Sequence, residues 1–366
     1  MVKDKIYFKN FNAIRAIAAI AVLISHIEAD KSSFGLIPFT FLNLVPIGTI
    51  AVTLFFVLSG FLITYLLLSE HILYKKINLK HFYLRRILRI WPLYFVVFFV
   101  GCCIFYSEIS LKAILFSLFF LPNIPFANHE LPSLIDPIWS IGIEEQFYIF
   151  FPLIFLFKRV KTTLIIIATL IIISFAIRFY IIAYDITILR EYFYLARFDC
   201  MLIGAIGAFI SFNYKKKNPI IISLLKVIYS KLIQFFVYLL IFIYLFICLK
   251  YQIPIVHQFF AILFVIMLIN LGTNNKSIIN LENKFLNRIG VVSYGIYLTH
   301  GFTNMIVLKY MQVGNIFIDS LLVIVLSIIF SILLANISYY YFEIFFINLK
   351  EKLRNTTENS KVNKTK

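Results

Sequence analysis

The sequence predicts an all-α fold: a polytopic membrane helical bundle of about ten transmembrane helices with both termini cytoplasmic. Three observations carry this. The 366-residue chain is 62% hydrophobic, with a mean hydropathy of +0.94 and 14% charged residues, outside the range of an ordinary soluble domain. Its apolar residues fall into runs long enough to cross a bilayer. Of its 34 Lys and Arg, 27 lie in the segments that a cytoplasmic N-terminus places inside, and seven elsewhere, the asymmetry of the positive-inside rule. The +17 net charge is therefore a topology signal, and nucleic acid is excluded as a partner. Cys102, Cys103, Cys200 and Cys248 lie in or beside apolar runs without metal or disulfide spacing.

The first span, 11–28, carries Arg15 near its start and His26 near its end. Eleven residues are close to three helical turns, which puts both on one face about 16 Å apart. The run lacks a small-residue cleavage site, so no cleavable leader is expected. Ionisable groups inside a membrane helix are costly and point to function; the alternative is an inner anchor and a wet outer end. Ala13, Ala16, Ala18, Ala19 and Ala21 allow close helix approach. The second span, 48–69, contains Ser59-Gly60, read as a packing point. The basic amphipathic stretch Lys75–Tyr94 leads into the third, 91–107, and Pro92 is expected near its first turn. Arg86 and Arg89 are helix neighbours. Guanidinium forks suit phosphate, and anionic lipid headgroups are the alternative ligand.

Residues 107–138 hold the run Leu111–Leu121, too short to span and expected at the outer interface or as a re-entrant piece. The fourth span, 139–157, should start with Asp136 as helix cap and Pro137 in first position. Ser140, Glu144 and Tyr148 share one face, and Glu145 points to its neighbour. Two carboxylates this deep need a polar cavity or partners. The fifth and sixth spans, 162–183 and 193–212, bring Arg178, Arg197 and Asp199 to the outer half, where other helices should pair them. Spans seven to ten cover 232–249, 255–271, 289–308 and 317–346. In the ninth, Ser293, Tyr297 and His300 form a polar line facing protein or water. In the tenth, Glu343 is expected to pair with an arginine. The tail, 348–366, is polar, lysine-rich and expected to be disordered, leaving 1–347 as one membrane domain.

In this order Ile14–His26, Phe55–Thr64, Arg85–Tyr94, Pro137–Leu153, Arg197–Ala205 and Ser293–His300 resemble the acyltransferase 3 family of bacterial integral-membrane acyltransferases. The Arg-x10-His spacing and the W-S-x3-E-E-Q-F-Y block are the specific parts. Asn12 and Ala13 depart from the family pattern, and no proline follows His300. The extra hydrolase-like domain of some members is not expected, because the chain stops after its tenth span.

The resemblance implies a multi-pass protein of the cytoplasmic membrane that transfers an acyl group, usually acetyl, from cytoplasmic acyl-CoA to a hydroxyl of an extracytoplasmic glycan or lipid-linked saccharide. Arg15, Arg86 and Arg89 would hold the donor phosphates. His26 would take the hydroxyl proton, since an ordinary imidazole titrates near pH ~6.5, with Glu144 or Glu145 orienting or charge-balancing it. Ser140, Tyr148, Arg197, Asp199, Ser293, Tyr297 and His300 would line substrate or form a polar core. No metal is expected, membrane lipid surrounds the chain, and nothing in the sequence sets an oligomeric state. A secondary transporter or flippase is the competing class; no repeated half supports it. A purely structural subunit has no use for the histidines and the glutamate pair.

Overall fold

Helix after helix builds the computed structural model, which describes residues 7–157, 159–214, 218–250 and 255–349. The helices are α1 (Phe11–Asp30), α2 (Thr40–Leu44), α3 (Ile47–Tyr74), α4 (Leu79–Ile104), α5 (Leu111–Leu118), α6 (Asn123–Ala127), α7 (Ile138–Phe150) and α8 (Val160–Ala183). They continue as α9 (Thr187–Leu195), α10 (Phe198–Tyr214), α11 (Pro219–Ile228), α12 (Lys231–Lys250), α13 (Val256–Thr273), α14 (Lys284–Val291), α15 (Ser293–Tyr310) and α16 (Ile316–Ser338). Among the described residues eight helices are long and apolar enough to span, and ten if two bent pairs each count as one span. The polytopic bundle stands. Most of the tail, 350–366, lies outside the described residues.

The centre of the bundle is α3, packed on α1, α10 and α13. Two glycines set its contact with α10. A Cβ on Gly60 would lie 1.9 Å from the Met201 carbonyl oxygen, and one on Gly204 would lie 2.1 Å from that of Val57. Backbone touches backbone here, the packing that small residues permit without a water-driven hydrophobic force. The outer faces carry apolar side chains such as Ile172 and Phe179 of α8 and Leu321 of α16, as a lipid-facing surface requires.

Four expectations change. Helix α4 starts at Leu79 rather than near 91, so Pro92 is internal. The basic stretch is already helical, capped by Asn78 accepting from the His81 N–H at 3.1 Å, but polar enough to escape a hydropathy reading. The ninth span is broken: α14 and α15 meet at 72° around Val292. Gly290 packs on the Asn12 backbone, where a Cβ would sit 1.9 Å from the carbonyl oxygen, so α14 lies across the start of α1 and the chain must turn to enter the bundle. Asp136 does not cap α7. Pro137 occupies the cap position without a side-chain bond, and a preceding turn already satisfies the local amides, with Trp139 N–H donating to the Asp136 carbonyl at 3.0 Å. Glu343 accepts from Ser338 at 3.2 Å, within a π-helical turn over Tyr339–Glu343, and makes no direct ion pair among the described residues, although an arginine charge, that of Arg89, does act on it. The nearby Arg288 is instead held by Asn336 at 2.6 and 2.9 Å and stacked on Tyr339 and Tyr340.

Between α4 and α7, α5 and α6 lie against the bundle. Tyr94 donates to the Ser117 carbonyl at 2.8 Å, and Gln146 donates to the Phe120 carbonyl and to Asn123, both at 2.9 Å. These bonds fix the face α7 turns inward.

Candidate active site

Where α1, α3, α4, α7 and α15 converge, an open cavity enters the bundle. Arg15, Arg86 and Arg89 line it, with Glu144 the one carboxylate among the lining residues described. The three arginines come from two helices, α1 and α4, so the predicted cluster is real. Arg86 lies over the rings of Tyr148, at 5.4 Å, and Phe82, at 5.7 Å. Arg15 has a long 3.5 Å contact with Asn12 of its own helix. Arg89 has no hydrogen-bond or ion-pair partner among the described residues. Three cations and one carboxylate among the lining residues give the cavity a positive field.

Glu144 accepts from Ser59 at 2.8 Å and from Tyr148 at 2.9 Å. Tyr148 reaches it because α7 places them four residues apart. Glu145, on the adjacent face as predicted, accepts from Trp91 Nε1 at 2.8 Å, while its Oε1 is buried without a partner. Neither carboxylate bonds His26, so neither orients it: Ser59, Tyr148 and Trp91 hold them on the arginine side. Ser59 and Trp91 escaped the sequence reading as site residues. A serine in an apolar helix and an aromatic at a membrane edge carry little signal alone. Tyr294 was missed too; it lines the cavity and donates to the Ile90 carbonyl at 2.6 Å, beside the Pro92 disruption.

Deeper in, the predicted polar faces of α7 and α15 meet. Ser140 and Tyr297 share a 2.6 Å hydrogen bond, and Ser293 lines the same cavity. Beyond Tyr297 comes His300, ring centroids 6.0 Å apart, and beyond it His26, at 4.9 Å and nearly perpendicular. The contacts thus run from the arginine cavity through Ser140, Tyr297 and His300 to His26, which does not itself line the cavity. Past His26, α1 ends in a fully buried pair, Lys31 to Glu28 at 2.5 Å, with the Phe39 N–H donating to the other Glu28 oxygen at 2.8 Å.

Arg197 and Asp199 lie elsewhere. Arg197 falls in the break between α9 and α10, donates to the Thr49 carbonyl at 2.8 Å and Thr53 at 3.1 Å, and stacks on Tyr194 and Trp139. Asp199 accepts from Arg178 at 3.1 Å and Gln258 at 2.8 Å. This polar core ties α3, α8, α10 and α13 together, a structural pairing through other helices. Among the described residues no group of His, Cys, Asp and Glu is arranged to hold a metal ion.

Fold and site together define a membrane helical bundle with an arginine-lined cavity leading to a pair of touching histidines, His300 buried and His26 half-buried. Residues 8–340 match the family described as "Acyltransferase domain" (acyltransferase 3), and the chain belongs to that family. It is 30% identical over 243 residues to O-acetyltransferase OatA of Staphylococcus aureus, covering 60% of this chain and 38% of the relative. It is 32% identical over 160 residues to a peptidoglycan O-acetyltransferase OatA of Listeria monocytogenes, covering 40% and 24%. The matched part is thus well under half the length of either relative. No solved structure matches.

Proposed function

We propose that this chain is a cytoplasmic-membrane O-acetyltransferase, moving an acetyl group from cytoplasmic acyl-CoA to a hydroxyl of a cell-envelope glycan, with peptidoglycan the first acceptor to test. The observation that carries this is the line of contacts leading from the cavity lined by Arg15, Arg86 and Arg89 to His26. The arginines fit the phosphates of a nucleotide thioester donor, which charge-assisted bonds hold. The apolar walls, Phe55, Leu62 and Ile141 among them, fit a pantetheine arm. Arg15 and His26 stand about 16 Å apart along one continuous helix, so a donor anchored at one end presents its thioester toward the other.

His26 takes the proton from the acceptor hydroxyl as the oxygen bonds the acyl carbon. The carbon–sulfur bond breaks, and the imidazolium returns the proton to the departing thiolate, leaving ester and free thiol. The positive-inside count supports the arginines on the cytoplasmic side and His26 toward the outside. The peptidoglycan reading rests on the relatives' names.

The test is mass spectrometry of envelope glycans from cells carrying wild-type protein, His26→Ala or no protein. His26→Ala at normal membrane abundance should match the strain without protein. Full acetylation with His26→Ala would end the assignment.

A further inference from the structure

His300 is fully buried, and its Nδ1 lies 2.7 Å from the Tyr297 carbonyl oxygen. A carbonyl oxygen accepts and cannot donate, so Nδ1 carries the proton. In the neutral ring that leaves Nε2 as a lone-pair acceptor. Nε2 is buried and has no hydrogen-bond partner. A buried polar atom left unsatisfied costs about 1–3 kcal/mol, and such atoms call for a reason. The ring nearest on the cavity's far side is His26, 4.9 Å away at 82°. His26 itself makes no hydrogen bond among the described residues.

A histidine base works when a third group holds its ring and tautomer. A carboxylate commonly does this, but Glu144 and Glu145 are committed to Ser59, Tyr148 and Trp91. We propose that His300 is the positioning residue of this site: its Nε2 accepts the N–H of His26 and turns the opposite ring nitrogen, lone pair outward, to the acceptor hydroxyl. The bond forms when the two rings, nearly perpendicular in the structure, turn toward each other. During transfer the hydroxyl proton moves to that free nitrogen and then to the thiolate, while the N–H shared with His300 stays in place. His300 remains neutral throughout. The inference rests on His26 being the base.

Two substitutions separate this role from a structural one. His300→Asn keeps an amide N–H where Nδ1 donates to Tyr297 and removes the distal acceptor. His300→Gln puts an amide oxygen near the Nε2 position. In purified protein, His300→Asn should lower kcat by about 10- to 100-fold, the usual cost of losing an orienting partner, with KM for acyl-CoA unchanged. His300→Gln should recover most of kcat. Wild-type kcat in His300→Asn, or recovery by Asn and not Gln, overturns the proposal. Should both variants fail to fold, histidine-labelled wild-type protein gives a second readout by nitrogen NMR. An imidazole N–H···N pair that disappears in His26→Ala is expected, and its absence from wild type overturns the proposal. The larger reading fails separately: it falls if His26→Ala turns over, whereas only this inference falls if His26→Ala is dead and His300→Asn is fully active.

Discussion

Replacing Arg89 by Gln isolates the donor site. Arg89 lines the cavity without a hydrogen-bond or ion-pair partner among the described residues, and the Glu343 carboxylate acts on it only at longer range, so its removal should cost ligand contacts and little folding energy. Arg86 is a poorer probe, because it also packs on Phe82 and Tyr148. A hydrogen bond to a charged group contributes about 1.5–3 kcal/mol, and ~1.4 kcal/mol is tenfold in affinity. Arg89→Gln should therefore weaken coenzyme A binding by roughly 10- to 150-fold. Arg89 is an exposed side chain and salt screens such a charge over about 8 Å at physiological strength, so the loss should sit near the lower figure and shrink as salt rises. Isothermal titration of coenzyme A into detergent-purified protein measures it, with thermal unfolding as the folding control. If Arg89→Gln binds coenzyme A like wild type, with the same salt dependence, the arginine cavity is not the phosphate site.

Three further outcomes follow from packing and charge. Gly60→Ala must push α3 and α10 apart by more than 1 Å to carry its 1.9 Å contact past 3.0 Å. That should cost ~1–3 kcal/mol, seen in thermal unfolding, and disturb the adjacent Ser59–Glu144 bond. Glu28→Gln leaves Lys31 buried without its counter-charge and should cost about 3–5 kcal/mol by the same measurement. Asp136, beside the start of α7, has its carboxyl pushed up to about 7, first by burial and then by the charge of Asp30. A carboxyl raised on folding disfavours the folded state once it must ionise. Stability should fall as pH rises from the ordinary carboxylate range through about 7 and level off above. Asp136→Asn should therefore gain stability over wild type across that window and match it at low pH; a pH-independent difference would refute the assignment.

The spans were legible because lipid imposes long apolar runs on any helix that crosses it. The same reading began the third span about three turns into α4, since Lys80, Arg85 and Arg86 make its start polar without making it less helical. It ran straight through Val292, because apolar residues continue across a bend that Gly290 and the Asn12 backbone impose by contact. That Arg15, Arg86, Arg89, Glu144, Tyr148, Ser140 and Tyr297 would face a polar cavity was legible from the cost of polar groups in lipid and from helix spacing. That cost says a group needs a partner and not which one. Hence Ser59 and Trp91 came as answers from tertiary packing, and His26 found His300 where a carboxylate was expected.

The central claim is acyl transfer from acyl-CoA through His26. Its most direct test is free-thiol release from acetyl-CoA by purified protein in detergent, supplied with muropeptide or peptidoglycan-derived saccharide. Wild type should release thiol in step with ester formation on the saccharide, and His26→Ala should do neither. Thiol release unaffected by His26→Ala, or no acetyl-CoA consumption by wild type that still moves saccharide across a bilayer, would contradict the account and favour a transporter.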